Sequence, residues 1–254
     1  MTVYELYKHF DTVIPRTLSC EWDNDGLMCC PDPEAEVKRV LVALDITSSV
    51  VEEAISGGYD LIVSHHPLIF SPLRALDPKD HVAKKVIALL RAGISAMSFH
   101  TRLDAVEGGV NDTLAARLGL REVEVFGDNG ETIGRIGTLP VPLSLDEFAA
   151  KVKEATHADR VQYVGERTVH RVAVLGGSGS SDVGAARRAG ADTYVSGELK
   201  HNNLTDAPEC GMNLIAAGHF YTEDPVCQRI RELLLEADPA LAIDLTCSNP
   251  VKCI

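Results

Sequence analysis

The predicted fold is centred on the segment Asp60-Leu61-Ile62-Val63-Ser64-His65-His66-Pro67-Leu68-Ile69-Phe70. Residues 60–63 have the short apolar pattern of a buried strand, and Pro67 ends it because proline can continue neither a strand ladder nor a helix. Two adjacent imidazoles therefore lie at the carboxyl end of a core strand, where open α/β sheets bind ligands. Both can reach one site only where the strand has ended, since neighbouring strand residues face opposite sides. Two histidines in a solvated loop are the alternative.

The composition indicates a globular protein of 254 residues, which is enough for one large domain or two small ones. The net charge is −13 and no Lys/Arg cluster stands out, so nucleic acid is a poor default partner. The apolar runs are too short to span a bilayer and the N-terminus lacks an export pattern, so we expect a cytoplasmic protein without a membrane segment.

The odd number of cysteines, seven, fits reduced thiols. The neighbours Cys29 and Cys30 are either redox-active or plain small apolar residues.

Local patterns in the first half predict an alternation of helices and strands. The spacing of Ser49 and Glu52 is that of a capping box and predicts a helix start. Trp22 lies in a turn-rich loop, which either is pinned by a buried indole or has a functional role. The predicted elements are a helix over 3–14, strands over 40–44, 60–63 and 94–99, a loop over 67–80 and helices over 81–92 and 110–118. The turn over 127–130 predicts a domain boundary near residue 127.

The second half repeats the plan of the first. The residues after Arg39 match those after Arg171, and at the same offset of 132 Val63-Ser64 matches Val195-Ser196. The strand that carries His65-His66 in the first half thus carries Gly197-Glu198 in the second. We therefore predict two similar α/β domains related by an internal repeat, residues 1–127 and 128–254, with equivalent loops converging on a cleft between them. A chance match between two β-α-β units is the alternative.

Histidines and carboxylates follow the predicted strands in a pattern typical of a metal site. The step from His100 to Asp104 is four residues, as is the step from His219 to Glu223. Imidazole and carboxylate ligands suit zinc, iron or manganese, and the absence of cysteine disfavours a closed structural zinc site. The candidates are too many for one open ion but fit two bridged by Glu223. They are His65, His66, His100, Asp104, His219 and Glu223.

Two further features lie near the predicted strand ends of the second half. The segment Gly176-Gly177-Ser178-Gly179-Ser180-Ser181 is either a tight turn or a phosphate cradle before a helix. It lacks the third glycine of a dinucleotide-binding fingerprint and the lysine of a P-loop. Glu198 and His201 are candidate acid–base groups or partners that orient metal ligands.

An ordered set of short motifs resembles the dinuclear-metal-centre hexameric proteins known as GTP cyclohydrolase 1 type 2 homologs, or Nif-three-like proteins. The resemblance spans nearly the whole chain. Its motifs are Trp22-Asp23-Asn24 with Gly26-Leu27, Ser64-His65-His66-Pro67-Leu68, His100-Thr101 before Asp104, Gly108-Gly109-Val110-Asn111, Gly176-Gly177-Ser178-Gly179, Gly197-Glu198, and Gly218-His219 with Thr222-Glu223.

The resemblance implies two α/β domains with a dimetal site between them and a homohexamer. The metal ligands that it implies are His65, His66, Asp104, His219 and Glu223. It suggests a metal-dependent hydrolase acting on a nucleotide or another phosphorylated small molecule, with His100, Glu198 or His201 moving protons. A non-catalytic metal-binding scaffold or interaction protein is the alternative.

Arg102 departs from the family pattern, in which a small polar residue is more frequent, and we expect it to alter substrate contacts.

Overall fold

The chain forms two compact units, each with its own sheet. The structure, a computed structural model, describes residues 1–128, 132–247 and 249–251. The first unit contains residues 1–106 and 226–250, and the second contains residues 107–225 and Val251. The predicted boundary near 127 falls within the second unit, which begins at residue 107, and the segment from 226 to 250 belongs to the first unit. Asn129 and Gly130 of the predicted boundary turn lie outside the described residues.

The helices of the two units are short to medium in length. No helix within the described ranges combines the length and the apolar character that a membrane span requires. A 3-10 turn covers Arg16–Leu18. In chain order the α-helices are α1 (Val3–Val13), α2 (Ser48–Gly57), α3 (His81–Ala92), α4 (Thr101–Ala105), α5 (Val110–Arg117), α6 (Leu145–Thr156), α7 (Val183–Arg188), α8 (His201–Glu209), α9 (His219–Glu223) and α10 (Val226–Ala237).

The strands divide between the two sheets. In chain order they are β1 (Gly26–Cys29), β2 (Arg39–Ala43), β3 (Leu61–Ser64), β4 (Ser95–Ser98), β5 (Arg121–Phe126), β6 (Gly134–Leu143), β7 (Gln162–Val164), β8 (Val169–Ser178), β9 (Thr193–Glu198), β10 (Asn213–Ala216) and β11 (Ala242–Leu245).

The sheet of the first unit has the order β1-β4-β3-β2-β11. Its pairs are parallel except that β1 runs antiparallel to β4. The C-terminal strand β11 joins this sheet beside β2, and Asp244 fastens it there by accepting hydrogen bonds from Tyr59 Oη at 2.7 Å and Arg39 Nη2 at 3.2 Å. These contacts are the physical reason that β11 belongs to the first unit.

The sheet of the second unit has the order β5-β6-β8-β9-β10-β7. The central strands β8, β9 and β10 are parallel, whereas β6 and β7 pair antiparallel with their neighbours. Apolar clusters cover both faces, because alternate strand residues point to opposite sides. Val172, Val195 and Ile215 pack on one face, while Tyr194 and Leu214 pack on the other.

The register of the strands confirms the internal repeat. Val40 of β2 lies opposite Leu61 of β3, and 132 positions later Val172 lies opposite Thr193. The turns agree as well, since the Asp60 side chain accepts from the backbone N–H groups of residues 38 and 39, and that of Asp192 from those of residues 170 and 171. The pair β2–β3 and the pair β8–β9 thus share both their register and the geometry of the turn. This double agreement excludes a chance match between unrelated units.

Most predicted elements are confirmed, with differences at their ends. Helix α3 has the predicted bounds, and Ser144 and Glu147 form a reciprocal capping box at the start of α6. Thr47 caps α2 by accepting from the N–H of residue 50, so the predicted capping box at Ser49 is wrong. Strand β6 continues past Pro140, where the pairing with β8 is irregular.

Arg102 is buried within the first unit, which corrects the expectation that it alters substrate contacts. Its side chain is 0% exposed and lies beneath the site, over the ring of Phe99 at 4.7 Å. The guanidinium donates to Asp11 Oδ1 at 2.6 Å and to Asp25 Oδ2 at 3.1 Å. Burial raises the pKa of Asp25, and the positive charge of Arg102 offsets this only in part. The ion cluster thus holds α1 and the 19–26 segment against α4.

Replacement of Arg102 by methionine should destabilise the protein strongly. Removal of one partner leaves the buried carboxylate of Asp25 without its counter-charge, which costs about 3–5 kcal/mol in the free energy of unfolding. Denaturant unfolding of Arg102→Met against an Arg91→Met control at an exposed helix position measures this difference. A loss below about 1 kcal/mol would show that the ion cluster contributes no more than a surface pair.

Candidate functional site

His65 and His66 follow the last residue of β3, as predicted from Pro67. The strand ends at Ser64, whose hydroxyl donates to the carbonyl of His66 at 2.8 Å. The backbone N–H of His66 donates to the carbonyl of Leu44 at 2.9 Å. With the alternation of the strand interrupted, the two imidazole centroids lie 5.0 Å apart. His65 is fully buried and His66 is half-buried, so neither lies in a solvated loop.

One ring nitrogen of each of these histidines is held by an acceptor. His65 Nδ1 lies 2.9 Å from the carbonyl oxygen of Phe99, and His66 Nδ1 lies 2.8 Å from Asp45 Oδ1. Carbonyl and carboxylate oxygens only accept, so Nδ1 carries the proton in each ring. In the neutral imidazole the lone pair is then on Nε2. Metal-binding histidines in proteins are oriented by the same kind of contact.

His100 completes a cluster of three imidazoles in the first unit. It caps α4, and its ring centroid lies 5.3 Å from that of His65 and 5.7 Å from that of His66. One ring nitrogen from each of the three lies within 4.8 Å of the other two. His100 Nδ1 is held by Asp23 Oδ1 at 2.9 Å, so the same orientation recurs in a third ring.

Asp23 is a strongly ionised carboxylate at the base of this cluster. Burial disfavours its charged form, but hydrogen bonds from His100 and from the N–H and hydroxyl of Thr101 more than offset that effect and lower the pKa of Asp23 to about 2. The ionised carboxylate therefore holds the His100 ring in one tautomer, with the lone pair on Nε2.

Asp104 places a carboxylate beside the cluster. It lies on α4 and is buried, and its Oδ1 is 3.7 Å from His65 Nε2. With the proton of His65 on Nδ1, the atoms that face each other across this distance are both lone-pair acceptors. A cation between them converts this repulsion into attraction, so the donor set fits a divalent metal ion.

His219 and Glu223 form the corresponding pair in the second unit. They are one turn apart on α9, and His219 Nε2 lies 3.0 Å from Glu223 Oε2. Glu223 is buried, with 4% of its surface exposed. Glu198, at the end of β9, lies 3.5 Å from His219 Nδ1. This short distance favours the predicted role of Glu198 as a residue that orients the His219 ring. His201 is exposed at the start of α8.

The glycines of the 176–181 segment are required by close packing around this pair. A Cβ atom on Gly177 would lie 2.1 Å from Glu223 Oε1, and one on Gly197 would lie 2.5 Å from the carbonyl of Gly177. The N–H of Gly177 donates to Thr222 Oγ1 at 3.0 Å and that of Gly176 to Asn111 Oδ1 at 2.8 Å. These two N–H groups are therefore engaged within the protein, which favours the tight turn over the phosphate cradle.

Sequence reasoning missed the carboxylates that orient the histidines. Asp45 comes two residues after β2, the neighbour of β3, so its position at a strand end was a usable signal. Asp23 lies within the Trp22-Asp23-Asn24 motif, but its contact with His100 spans 77 positions of sequence.

Burial and the adjacent Cys30 raise the pKa of Cys29 to about 11, which favours an apolar role for this thiol over a redox role.

Comparisons with known proteins cover the whole chain. The family model described as Duf34/NIF3 (NGG1p interacting factor 3) matches residues 1–251. A Clostridium perfringens protein named GTP cyclohydrolase 1 type 2 homolog is 29% identical over 263 residues and is covered completely, as is this chain. The crystal structure of a Staphylococcus aureus hypothetical protein has a TM-score of 0.91 at 28% identity, over 100% of this chain and 99% of that one. Reduced HcgD from Methanocaldococcus jannaschii has a TM-score of 0.85 at 30% identity, over 96% and 97%.

Replacement of Asp23 by asparagine should lower stability in a pH-dependent manner. The folded-state pKa of about 2 lies below the ordinary value of 3.8, so the ionised carboxylate stabilises the fold above pH 3.8, and this contribution is lost as the pH falls through about 2. At neutral pH we expect Asp23→Asn to cost about 2 kcal/mol. Unfolding curves of both proteins across this range give the difference, and a deficit that does not shrink with acidification would contradict the assignment.

Proposed function

The chain belongs to the Duf34/NIF3 family, and from this membership and the orientation of its histidines we propose that it is a dinuclear metal-dependent hydrolase. Its substrate would be a nucleotide or another phosphorylated small molecule. The relatives named GTP cyclohydrolase 1 type 2 homolog support this class of substrate. The proposed metal ligands are His65, His66, Asp104, His219 and Glu223.

One observation carries the proposal: each of the three clustered histidines of the first unit presents Nδ1 to an oxygen acceptor. The acceptors are a backbone carbonyl for His65 and carboxylates for His66 and His100, at distances from 2.8 to 2.9 Å. Metal-binding histidines almost always donate one ring N–H to a carboxylate or carbonyl, which fixes the ring and leaves the other nitrogen unprotonated. The nearby carboxylates of Asp104 and Glu223 supply the oxygen ligands that zinc, iron and manganese accept beside imidazole.

The charges of the ligand set favour an anionic substrate. Two divalent ions bring four positive charges and the two carboxylates remove two, so about two positive charges remain at the site. On a chain with a net charge of −13, this creates a local attraction for phosphate groups. When bound, paired ions of this kind supply Lewis-acid activation of phosphoryl or carbonyl centres.

His100 is the residue of this chain best placed to move a proton. Its Nδ1 is held by the ionised Asp23, so Nε2 can accept a proton while the carboxylate stabilises the imidazolium that results. The same carboxylate–imidazole arrangement orients the general base of hydrolases on unrelated folds. Glu198 contributes by orienting His219 rather than by proton transfer. His201, exposed on α8, is the weaker candidate for acid–base catalysis.

The metal proposal is tested by zinc loading of the Glu223→Gln variant. We expect about two zinc ions per wild-type chain and a clear loss of zinc from the variant, because the neutral amide cannot replace a bridging carboxylate. Elemental analysis after equilibrium dialysis measures the ratio. Glu209→Gln, at an exposed position on α8, is the matched control and should retain the wild-type value. Equal zinc content in both variants would remove Glu223 from the ligand set.

The catalytic proposal is tested by the His100→Gln variant of the zinc-loaded protein. Turnover of nucleotides and phosphomonoesters should fall roughly 10²–10⁴-fold, the range for loss of a general acid–base group. His81→Gln, at an exposed helix start, should retain activity. Unchanged turnover in His100→Gln, with zinc content also unchanged, would assign the proton transfer to another residue.

A non-catalytic metal-binding role is the second candidate, because the family description itself names an interacting factor. In that case the protein would act as a scaffold assembled from six copies, the homohexamer that we also propose for the hydrolase. Light scattering alongside the substrate screen separates the two candidates. Metal-dependent assembly without turnover of any substrate would favour the scaffold.

A further inference from the structure

Two large aromatic side chains are exposed beside the histidine cluster of the first unit. Trp22 is 59% exposed and Phe70 is 52% exposed. The expectation of a turn pinned by a buried indole is therefore wrong. Their ring centroids lie 6.1 Å apart, and each lies close to the ring of His100, at 6.1 and 6.2 Å.

The segments that carry these rings are fixed in place. Asp23, the neighbour of Trp22, holds His100 and Thr101 through hydrogen bonds of 2.6–3.0 Å. The next residue, Asn24, donates from Nδ2 to the carbonyl of Ile69, the neighbour of Phe70. The hydrogen bonds that orient His100 thus also set the positions of both aromatic residues.

The geometry leaves aromatic surface available for a planar ring. The contacts among Trp22, Phe70 and His100 are edge-to-face, with interplanar angles of 60°, 76° and 83°. Their broad faces therefore do not cover one another in a parallel stack. Adjacent exposed aromatic side chains on a fixed framework are unfavourable in water unless a ligand or partner covers them.

We propose that Trp22 and Phe70 form a stacking site for the planar heteroaromatic ring of the substrate, a nucleobase in the case of a nucleotide. This inference rests on the proposed function, because it assigns the ring and the phosphates of one molecule to adjoining parts of the site. The shared contact with His100 makes the aromatic pair continuous with the imidazole cluster. The carboxylates of Asp23 and Asp45 lie beside that cluster and repel anions. They therefore favour an uncharged ring at the aromatic pair and leave the anionic phosphates to the proposed ions.

Trp22 is the only tryptophan of the chain and serves as an internal probe. Zinc-loaded protein is titrated with GTP, with guanosine and with inorganic triphosphate, and tryptophan fluorescence and calorimetry are recorded. We expect GTP to quench the fluorescence and to bind at least tenfold more tightly than triphosphate, since base–aromatic stacking corresponds to a factor of roughly ten or more. Phe70→Ala should remove most of this advantage, and Trp22→Phe should retain more of it than Trp22→Ala. Tyr163→Ala, at an exposed strand position, is the control.

The outcomes separate this inference from the metal proposal. Equal affinities for GTP and triphosphate, both dependent on zinc, would overturn the stacking site and leave the metal site standing. Guanosine binding that depends on Phe70, together with GTP binding that is no tighter with zinc than without it, would support stacking and count against the metal role. Absence of GTP binding would overturn the stacking site, as would loss of the oligomer in Trp22→Ala, which would assign the aromatic pair to an interface between copies.

Discussion

The fixing of Nδ1 on His65, His66 and His100 is the constraint on which the proposed chemistry depends. An imidazole ring that rotates freely can present either nitrogen. Neither nitrogen is then held in the fixed position that a metal ligand or a general base requires. His65 is fixed by the backbone at the end of β4, whereas His66 and His100 are fixed by aspartates from neighbouring segments. The sheet thus determines the position of each ring, and the acceptors determine which nitrogen it offers.

The internal repeat shows how one scaffold supplies two different sets of side chains. Strands β2 and β3 share their register with β8 and β9, but the positions of His65 and His66 are taken by Gly197 and Glu198. Gly197 is small because Gly177 and α9 pack directly against it. Glu198 instead lies 3.5 Å from His219 Nδ1. In the first unit His65 and His66 come from the strand end itself, and in the second the strand end lies against a histidine and a glutamate on α9.

The sequence predicts the features that have local causes. Apolar runs, glycines and Pro67 locate β3 and its end, and the offset of 132 reveals the repeat. The return of β11 to the first unit was not predictable, because this short edge strand is mostly exposed and lacks a buried pattern. Helices α4 and α9 have five residues each, too few for a helical periodicity. The aspartates that accept hydrogen bonds from Arg102 and His100 are 77 or more positions away in the sequence. Local sequence patterns therefore do not predict these contacts.

X-ray absorption fine structure of the zinc-loaded protein is the sharpest test of the proposed dimetal site, since it reports the ligands and the neighbouring ion without requiring a substrate. If the five side chains hold a pair of ions, the first shell contains only nitrogen and oxygen at about 2.0–2.2 Å, and a second zinc scatters from about 3.5–4 Å. Sulfur in the first shell, or a lone zinc with no metal neighbour, would contradict it.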